Sequence, residues 1–190
     1  MNCSITLEAM DPADLDEICR VDGDCFLFPW PRPYFESELK LPDARCVAAK
    51  LQGDHADGDI IAYCCIRILM DEMHLMRIAV APEFRGRGVG LWILEAVCAM
   101  ASALGAETAL LEVRESNAAA AALYEKAGFA CCGKRPNYYP ETREAALVMQ
   151  KKIPRRHYDH ENCNQRLWAD RTSSFSGCIG PSFPGSGGDQ

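Results

Sequence analysis

The sequence predicts an α/β domain with one mixed central sheet of about seven strands, flanked by about four helices. Three observations predict it. Short apolar runs follow one another in hairpin order up to Val80, with polar or glycine-bearing turns between them. An apolar helical run beginning near Val89 then separates two strand-like runs, the arrangement of a right-handed crossover that sets its flanking strands parallel. A shorter alanine-rich helical run and two further strand-like runs complete the order. The 190 residues, 48% apolar and 25% charged, suit one domain with a real core.

Taken in order, residues 5–9 alternate as a first strand, and Asp11-Pro12 supplies an N-cap and a proline for a helix to about Val21. The stretch Phe26-Leu27-Phe28-Pro29-Trp30-Pro31 leads into a second short helix over residues 33–41. Its aromatics and prolines make a stiff apolar wall, equally suited to lining a substrate groove and to capping the core. Residues 45–51 and 60–69 read as strands joined by a polar loop at 52–59; Asp71-Glu72 turns the second into a strand at 73–80, which Pro82 stops. The helix from Val89 to about Leu104 ends at Gly105, and residues 108–113 form the next strand. A helix over 117–126, capped by Ser116 or Asn117 and stopped by Gly128, precedes strands at 129–134 and 145–150. These elements fill a domain of residues 1–154, leaving 155–190 as an extension rich in Gly, Ser and Pro that reads as disordered.

Charge narrows the function classes. Residues 1–150 hold 14 Lys and Arg against 23 Asp and Glu, a balance of −9 within a net −7. An acidic body disfavours direct nucleic-acid binding and suits a basic partner. The most apolar run, residues 89–103, is short for a membrane span and contains Glu95, and no basic-then-apolar leader opens the chain, so a cytoplasmic protein with no membrane segment is expected. The 11 cysteines lack CxxC spacing and read as reduced, small buried hydrophobes. His157, His160 and Cys163 have a ligand-like spacing, but a closed zinc site takes four ligands, so no metal is expected.

The chemistry begins where the strand at 73–80 meets Arg85, Gly86, Arg87, Gly88 and Gly90 ahead of a helix. Amides at a helix start have no intrahelical partner and sit at the positive end of its dipole, so a pyrophosphate fits there. A Walker loop would need Lys followed by Ser or Thr; the dinucleotide pattern GxGxxG would need a small residue where Leu91 stands. What remains, Arg85-x-x-Gly88-x-Gly90, resembles the coenzyme A pyrophosphate motif of the GCN5-related N-acetyltransferase (GNAT) superfamily.

The second informative block is LEVRESNAAAAALYEKAGF at residues 111–129, preceded by Leu110 and followed by RPNYYP at 135–140. Strand alternation puts Glu112 on the face opposite Leu111 and Val113, where it is either a solvated carboxylate within reach of Arg114 or a working base. Asn117 and Tyr124 are two helical turns apart, so an amide and a phenol share one low-relief face; an ordinary interfacial tyrosine on a good helix would look the same. Together with Arg85 to Gly90 and Phe28-Pro29-Trp30, these blocks resemble the RimI-type ribosomal protein alanine N-acetyltransferases over residues 1–150. The resemblance implies a GNAT fold, acetyl-CoA as cosubstrate, no metal, and a basic ribosomal protein N-terminus as acceptor. It assigns Glu112 as general base and Tyr124 as general acid. It places the coenzyme on Ile78, Ala79, Val80, Arg85, Gly86, Arg87, Gly88, Val89, Gly90 and Asn117, and the acceptor against Phe28, Trp30, Tyr138 and Tyr139. Pro136 departs from the family pattern, where a basic residue often precedes the Asn, and the extension has no counterpart in it. Transfer to a small amine or polyamine, and a non-catalytic acyl-CoA-binding regulator, stay open as other uses of the same residues.

Overall fold

A computed structural model describes residues 4–52 and 58–154. The expected extension, with His157, His160 and Cys163, and most of the expected loop at 52–59 lie outside the described residues.

The first strand, β1 (Ser4–Ala9), buries Ile5 and Leu7. After it, Asp11 Oδ1 accepts the Ala13 amide at 3.0 Å while Asp14 Oδ2 accepts the Asp11 amide at 2.8 Å, a reciprocal cap. That cap opens a single 3-10 turn, Pro12–Asp14, so the α-helix proper, α1 (Leu15–Cys25), starts later than expected and runs past Val21. Gly23 does not end it: a helical glycine costs only about 1 kcal/mol, and burial of Leu15, Ile18 and Val21 outweighs that. The chain continues through α2 (Arg32–Glu38), β2 (Ala44–Gln52), β3 (Ile60–Leu69), β4 (Glu72–Val80), α3 (Val89–Ala103), β5 (Thr108–Arg114), α4 (Ala118–Lys126), β6 (Ala130–Tyr139) and β7 (Glu144–Lys152).

The seven strands form one sheet in the order β1-β2-β3-β4-β5-β7-β6, mixed as the sequence predicts, with β4 and β5 parallel across the α3 crossover. Both faces are covered, which is why β3 reads as an almost unbroken apolar run. Cys64 and Ile66 join a core with Ile93, Leu94 and Val97 of α3, while Tyr63 and Cys65 join a second core with Ile18 and Val21 of α1 and Phe35 of α2.

Two expectations need correction. Cys46, Cys64, Cys65 and Cys98 are buried, but Cys131 and Cys132 are exposed because they lie on β6, an edge strand with one neighbour. β6 also runs past Lys134 to Tyr139, despite Pro136. Arg135 pairs with Ala146 and Tyr139 with Glu144, so residues 136–138 loop out of register and Asn137 takes φ 52°. Pro is tolerated there because an edge strand needs no donor on its open side and a bulge relaxes the ladder.

The feature that makes room for a site is a parting of the central strands. β4 and β5 pair from Glu72 with Thr108 to Leu75 with Leu111 and no further. Beyond that point β4 stays with β3, and β5 with β7. The cause lies in β4: Cys65 faces Arg77 and Ile66 faces Leu75, so Met76 is an inserted residue. A bulge bends its strand and increases local twist, and here it falls where the parallel ladder stops.

Candidate active site

The wedge between the parted strands is the floor of a cleft of about 590 Å³. Ile78 of β4, Glu112 of β5, Asn117 at the head of α4 and Tyr124 within it all line this space. So do Phe28 and Trp30 on one wall, and Tyr138 and Tyr139 of β6 on the other. Eight residues singled out from sequence therefore meet in one cavity. Ala79, Val80 and residues 85–90 continue from its β4 side rather than lining it.

At that side the chain leaves β4, makes one 3-10 turn (Pro82–Phe84), and enters α3 through Gly86 at φ 72° and Gly88 at φ 85°. Both need the left-handed region that glycine reaches without strain. A Cβ on either would meet nothing within 4 Å, so the turn is an open backbone surface, and α3 carries no side-chain cap on its first amides. Gly90 has a different reason to be glycine: a Cβ there would stand 3.3 Å from Leu123 Cδ2 and 3.5 Å from Val80 Cγ2, so its absence lets α3 approach α4. Arg85 folds back on the strand end, its Nε donating to the Val80 carbonyl at 3.0 Å and its other nitrogen 3.1 Å from Cys25 Sγ. A pyrophosphate fits this turn: open left-handed glycines, uncapped amides and the positive end of a 15-residue helix face it.

In the cleft, Glu112 is partly exposed and pairs with Arg135 at 3.0 Å. Its expected neighbour Arg114 is occupied elsewhere, with Glu144 at 3.4 Å, Thr142 at 2.7 Å and the Tyr139 ring at 3.8 Å. Asn117 caps α4, its Oδ1 accepting the Ala120 amide at 3.1 Å. Tyr124 is buried against Phe129, their rings 6.1 Å apart and edge to face. Burial pushes its phenol well above the ordinary value, so the hydroxyl keeps its proton throughout the neutral range. The same physics acts on thiols: burial raises Cys25 in the cleft wall, and Cys98 to about 11.

Sequence reasoning missed several residues that shape the cleft. Arg135 stands in the sequence only as the first residue of the RPNYYP motif, yet it pairs with Glu112. Glu144 accepts the Ser116 amide at 2.6 Å, tying the β6–β7 hairpin to the head of α4. Asp22 and Tyr63, both buried, meet Arg77, which also lines the cleft, under the Phe28 and Trp30 wall. Only the partners' long sequence separation hid them.

A parted parallel pair, a glycine-lined helix entrance and a cleft with a carboxylate and a phenol together define an acyl-transferring α/β enzyme. The chain belongs to the acetyltransferase (GNAT) family, whose family model matches residues 15–129. It is 34% identical over 146 residues to the ribosomal protein bS18-alanine N-acetyltransferase of Escherichia coli strain K12, covering 76% of this chain and 95% of that protein. The crystal structure of the ribosomal-protein-S18-alanine N-acetyltransferase from Escherichia coli superimposes with a TM-score of 0.71 at 31% identity, over 82% of this chain and 97% of that one. Arabidopsis thaliana NAA60 in complex with acetyl-CoA shares the fold, with a TM-score of 0.71 at 17% identity over 78% of this chain and 98% of that one. None of the described helices is long and apolar enough to cross a membrane.

Proposed function

We propose that this acetyltransferase passes the acetyl group of acetyl-CoA directly to the N-terminal alanine of a small-subunit ribosomal protein. The observation that carries the reading is that Glu112 and Tyr124 line one cleft, formed where β4 and β5 part, between two aromatic walls. Acetyl-CoA supplies an activated thioester. The amides of Gly86, Arg87, Gly88, Val89 and Gly90 hold its pyrophosphate, with Arg85 fixing the shape of the turn through Val80. The backbone of Ile78, Ala79 and Val80, freed from any ladder to β5, takes the pantetheine arm, and one amide in this stretch polarises the acyl carbonyl. Asn117 adds a coenzyme contact at the head of α4. Phe28 and Trp30 on one side, with Tyr138 and Tyr139 on the other, narrow the entrance to an extended N-terminus.

Glu112, directly or through a water, accepts the proton of the attacking amine, and Arg135 orients its carboxylate. An α-amine of pKa near 7.8 costs about 1 kcal/mol to deprotonate at pH 7, against about 4.6 kcal/mol for a lysine near 10.4. A partly exposed carboxylate is thus an adequate base for an N-terminus. Tyr124 delivers its proton at the departing sulfur. A buried phenol is a weak acid, but a desolvated thiolate is a strong base, as the raised thiols of Cys25 and Cys98 illustrate in this same protein. The deciding experiment is mass spectrometry of peptides incubated with acetyl-CoA: Ala-Arg and Leu-Arg N-termini, an N-terminally blocked peptide with an internal lysine, and a free polyamine. Acetylation of the Ala-Arg peptide at its α-amine is expected, with the Leu-Arg peptide slower through steric overlap. Preference for the blocked lysine peptide or the polyamine would defeat the proposal.

A further inference from the structure

Asp22 is a carboxylate with no exposed surface, in a helix whose other inward residues are apolar. Such a charge is costly unless fully partnered. The Tyr63 hydroxyl and Arg77 Nε donate to Oδ1, the latter at 2.7 Å. The other oxygen accepts from a second Arg77 nitrogen at 2.9 Å and from the Trp30 amide at 2.6 Å. Arg77 also donates to the Phe28 carbonyl at 3.1 Å, and its guanidinium lies 3.7 Å from the Phe26 ring centre and 5.1 Å from that of Trp30. None of these groups takes part in the transfer chemistry.

What they share is one destination. Apart from the Tyr63 bond and those within the pair, each hydrogen bond and ring contact just named falls on residues 26–30, the irregular segment between α1 and α2 that forms one wall of the cleft. Arg77 is the residue after the bulged Met76, so the wall is fastened to β4 where β4 parts from β5. A buried ion pair is a poor source of net stability, since its desolvation offsets most of the attraction; what it supplies is a fixed geometry. Phe26 and Trp30 are partly buried against the α1–α2 core, but Leu27, at 83% exposed, and Phe28, at 43%, are not, so burial anchors only part of the segment.

We infer that the Asp22–Arg77 pair is a positioning clip for the acceptor wall: it sets the affinity for the acceptor and leaves coenzyme binding and proton transfer untouched. The inference rests on the peptide-acceptor reading of the cleft. Arg77→Lys keeps a cation beside Asp22 but loses the two-pronged grip, the Phe28 carbonyl bond and the flat contact with Phe26. It should raise the peptide KM at least tenfold, leave kcat within about threefold and leave acetyl-CoA affinity, read by calorimetry, unchanged. Amide hydrogen exchange at Trp30 should quicken as well. The double variant Asp22→Asn with Arg77→Met leaves no charge unpaired and so tests the same geometry without a buried lone ion; it should reproduce the rise in KM.

Wild-type peptide KM in both variants, or coenzyme affinity falling in proportion with peptide affinity, would overturn the clip. So would failure of both to fold, since the pair would then be scaffold. Absence of turnover by the wild-type enzyme on an alanine peptide would defeat the acceptor reading instead. The clip is then still decided by Trp30 exchange and by the KM for whichever amine is accepted.

Discussion

At the glycine turn beside the cleft, the proposed coenzyme site, the open surface is backbone: Gly86 and Gly88 in left-handed conformations lead into the uncapped amides of α3, all within a few residues. At the proposed acceptor end it is side chains from distant places: Asp22, Tyr63 and Arg77 under residues 26–30, and Arg114, Glu144 and Ser116 behind Tyr139. The first kind of surface depends on φ angles and is indifferent to many side-chain changes. The second depends on fork-like hydrogen bonds and stacked rings, and so can be retuned one residue at a time without disturbing the first.

The comparison breaks most visibly at the point where the two ends meet. Tyr124→Phe should lower turnover by about a hundredfold or more, the usual contribution of a positioned acid, while the acetyl-CoA Kd and the peptide KM stay near wild type. Its ring remains packed on Phe129, so the melting temperature should hold. Wild-type turnover in single-turnover experiments, where product release no longer limits the rate, would remove the phenol from the mechanism.

At the coenzyme end, Gly88→Val forces a β-branched residue to φ 85°, a strain of at least about 1–2 kcal/mol, and places methyl groups over the open turn. Coenzyme Kd should rise tenfold or more, and the strain should also lower the melting temperature by a few degrees. Gly90→Val should behave differently, because its side chain meets Leu123 rather than a ligand: overpacking of about 1–3 kcal/mol lowers stability first. Calorimetric binding alongside thermal melts separates the two. Identical profiles for both variants would show that position 90 serves the coenzyme in the same way as position 88.

That contrast explains what was legible in the sequence. The succession of elements, the crossover and the glycine turn are local patterns, and all three stand in the structure; the insertion of β7 between β5 and β6 is not local and was not read from the sequence. Gly90 was visible as a glycine, but not its reason, since Leu123 lies 33 positions away. Alternation puts Glu112 on the face away from Leu111 and Val113, and one of its two readings pairs it with Arg114 on the same strand; the structure pairs it with Arg135 instead. The bulges at Met76 and at residues 136–138 carry no composition signal, and they open the cleft and extend the hairpin. Asp22 looked like one more acidic residue of an amphipathic helix, because nothing in its neighbourhood foretells Tyr63 or Arg77.

A smaller effect tests the other acceptor wall. Hydrogen bonding from Ser116, followed by the charge of Arg114, holds the Glu144 carboxyl below its ordinary value of 4.5. A carboxyl with a depressed folded pKa contributes stability that is present above the unfolded value and lost as pH falls through the folded one. Protection of the Ser116 amide against hydrogen exchange, corrected for intrinsic rates, should therefore be flat above about pH 5 and weaken in more acidic solution. Glu144→Gln should show lower protection with no such acid dependence, and a few-fold higher peptide KM at neutral pH. An acid transition surviving in Glu144→Gln would assign it to another group.

The smallest expected effect concerns charge. The −9 balance of residues 1–150 favours a basic acceptor, but the carboxylates nearest the cleft are already matched: Glu112 with Arg135, and Glu141 and Glu144 with Arg114. Attraction at the entrance must then come from the diffuse field of the whole body rather than from one contact. Such a field acts over a Debye length, about 10 Å at 0.1 M salt and about 3 Å at 1 M. An Ala-Arg peptide should be preferred to an Ala-Glu peptide by only about threefold in kcat/KM at 0.1 M, and the preference should vanish at 1 M. A preference that persists at 1 M would mean that a carboxylate leaves its arginine to grip the second residue directly, making the acceptor wall selective for sequence as well as position. Indifference at low salt would leave the aromatic walls and their arginine fastenings as the sole source of acceptor choice.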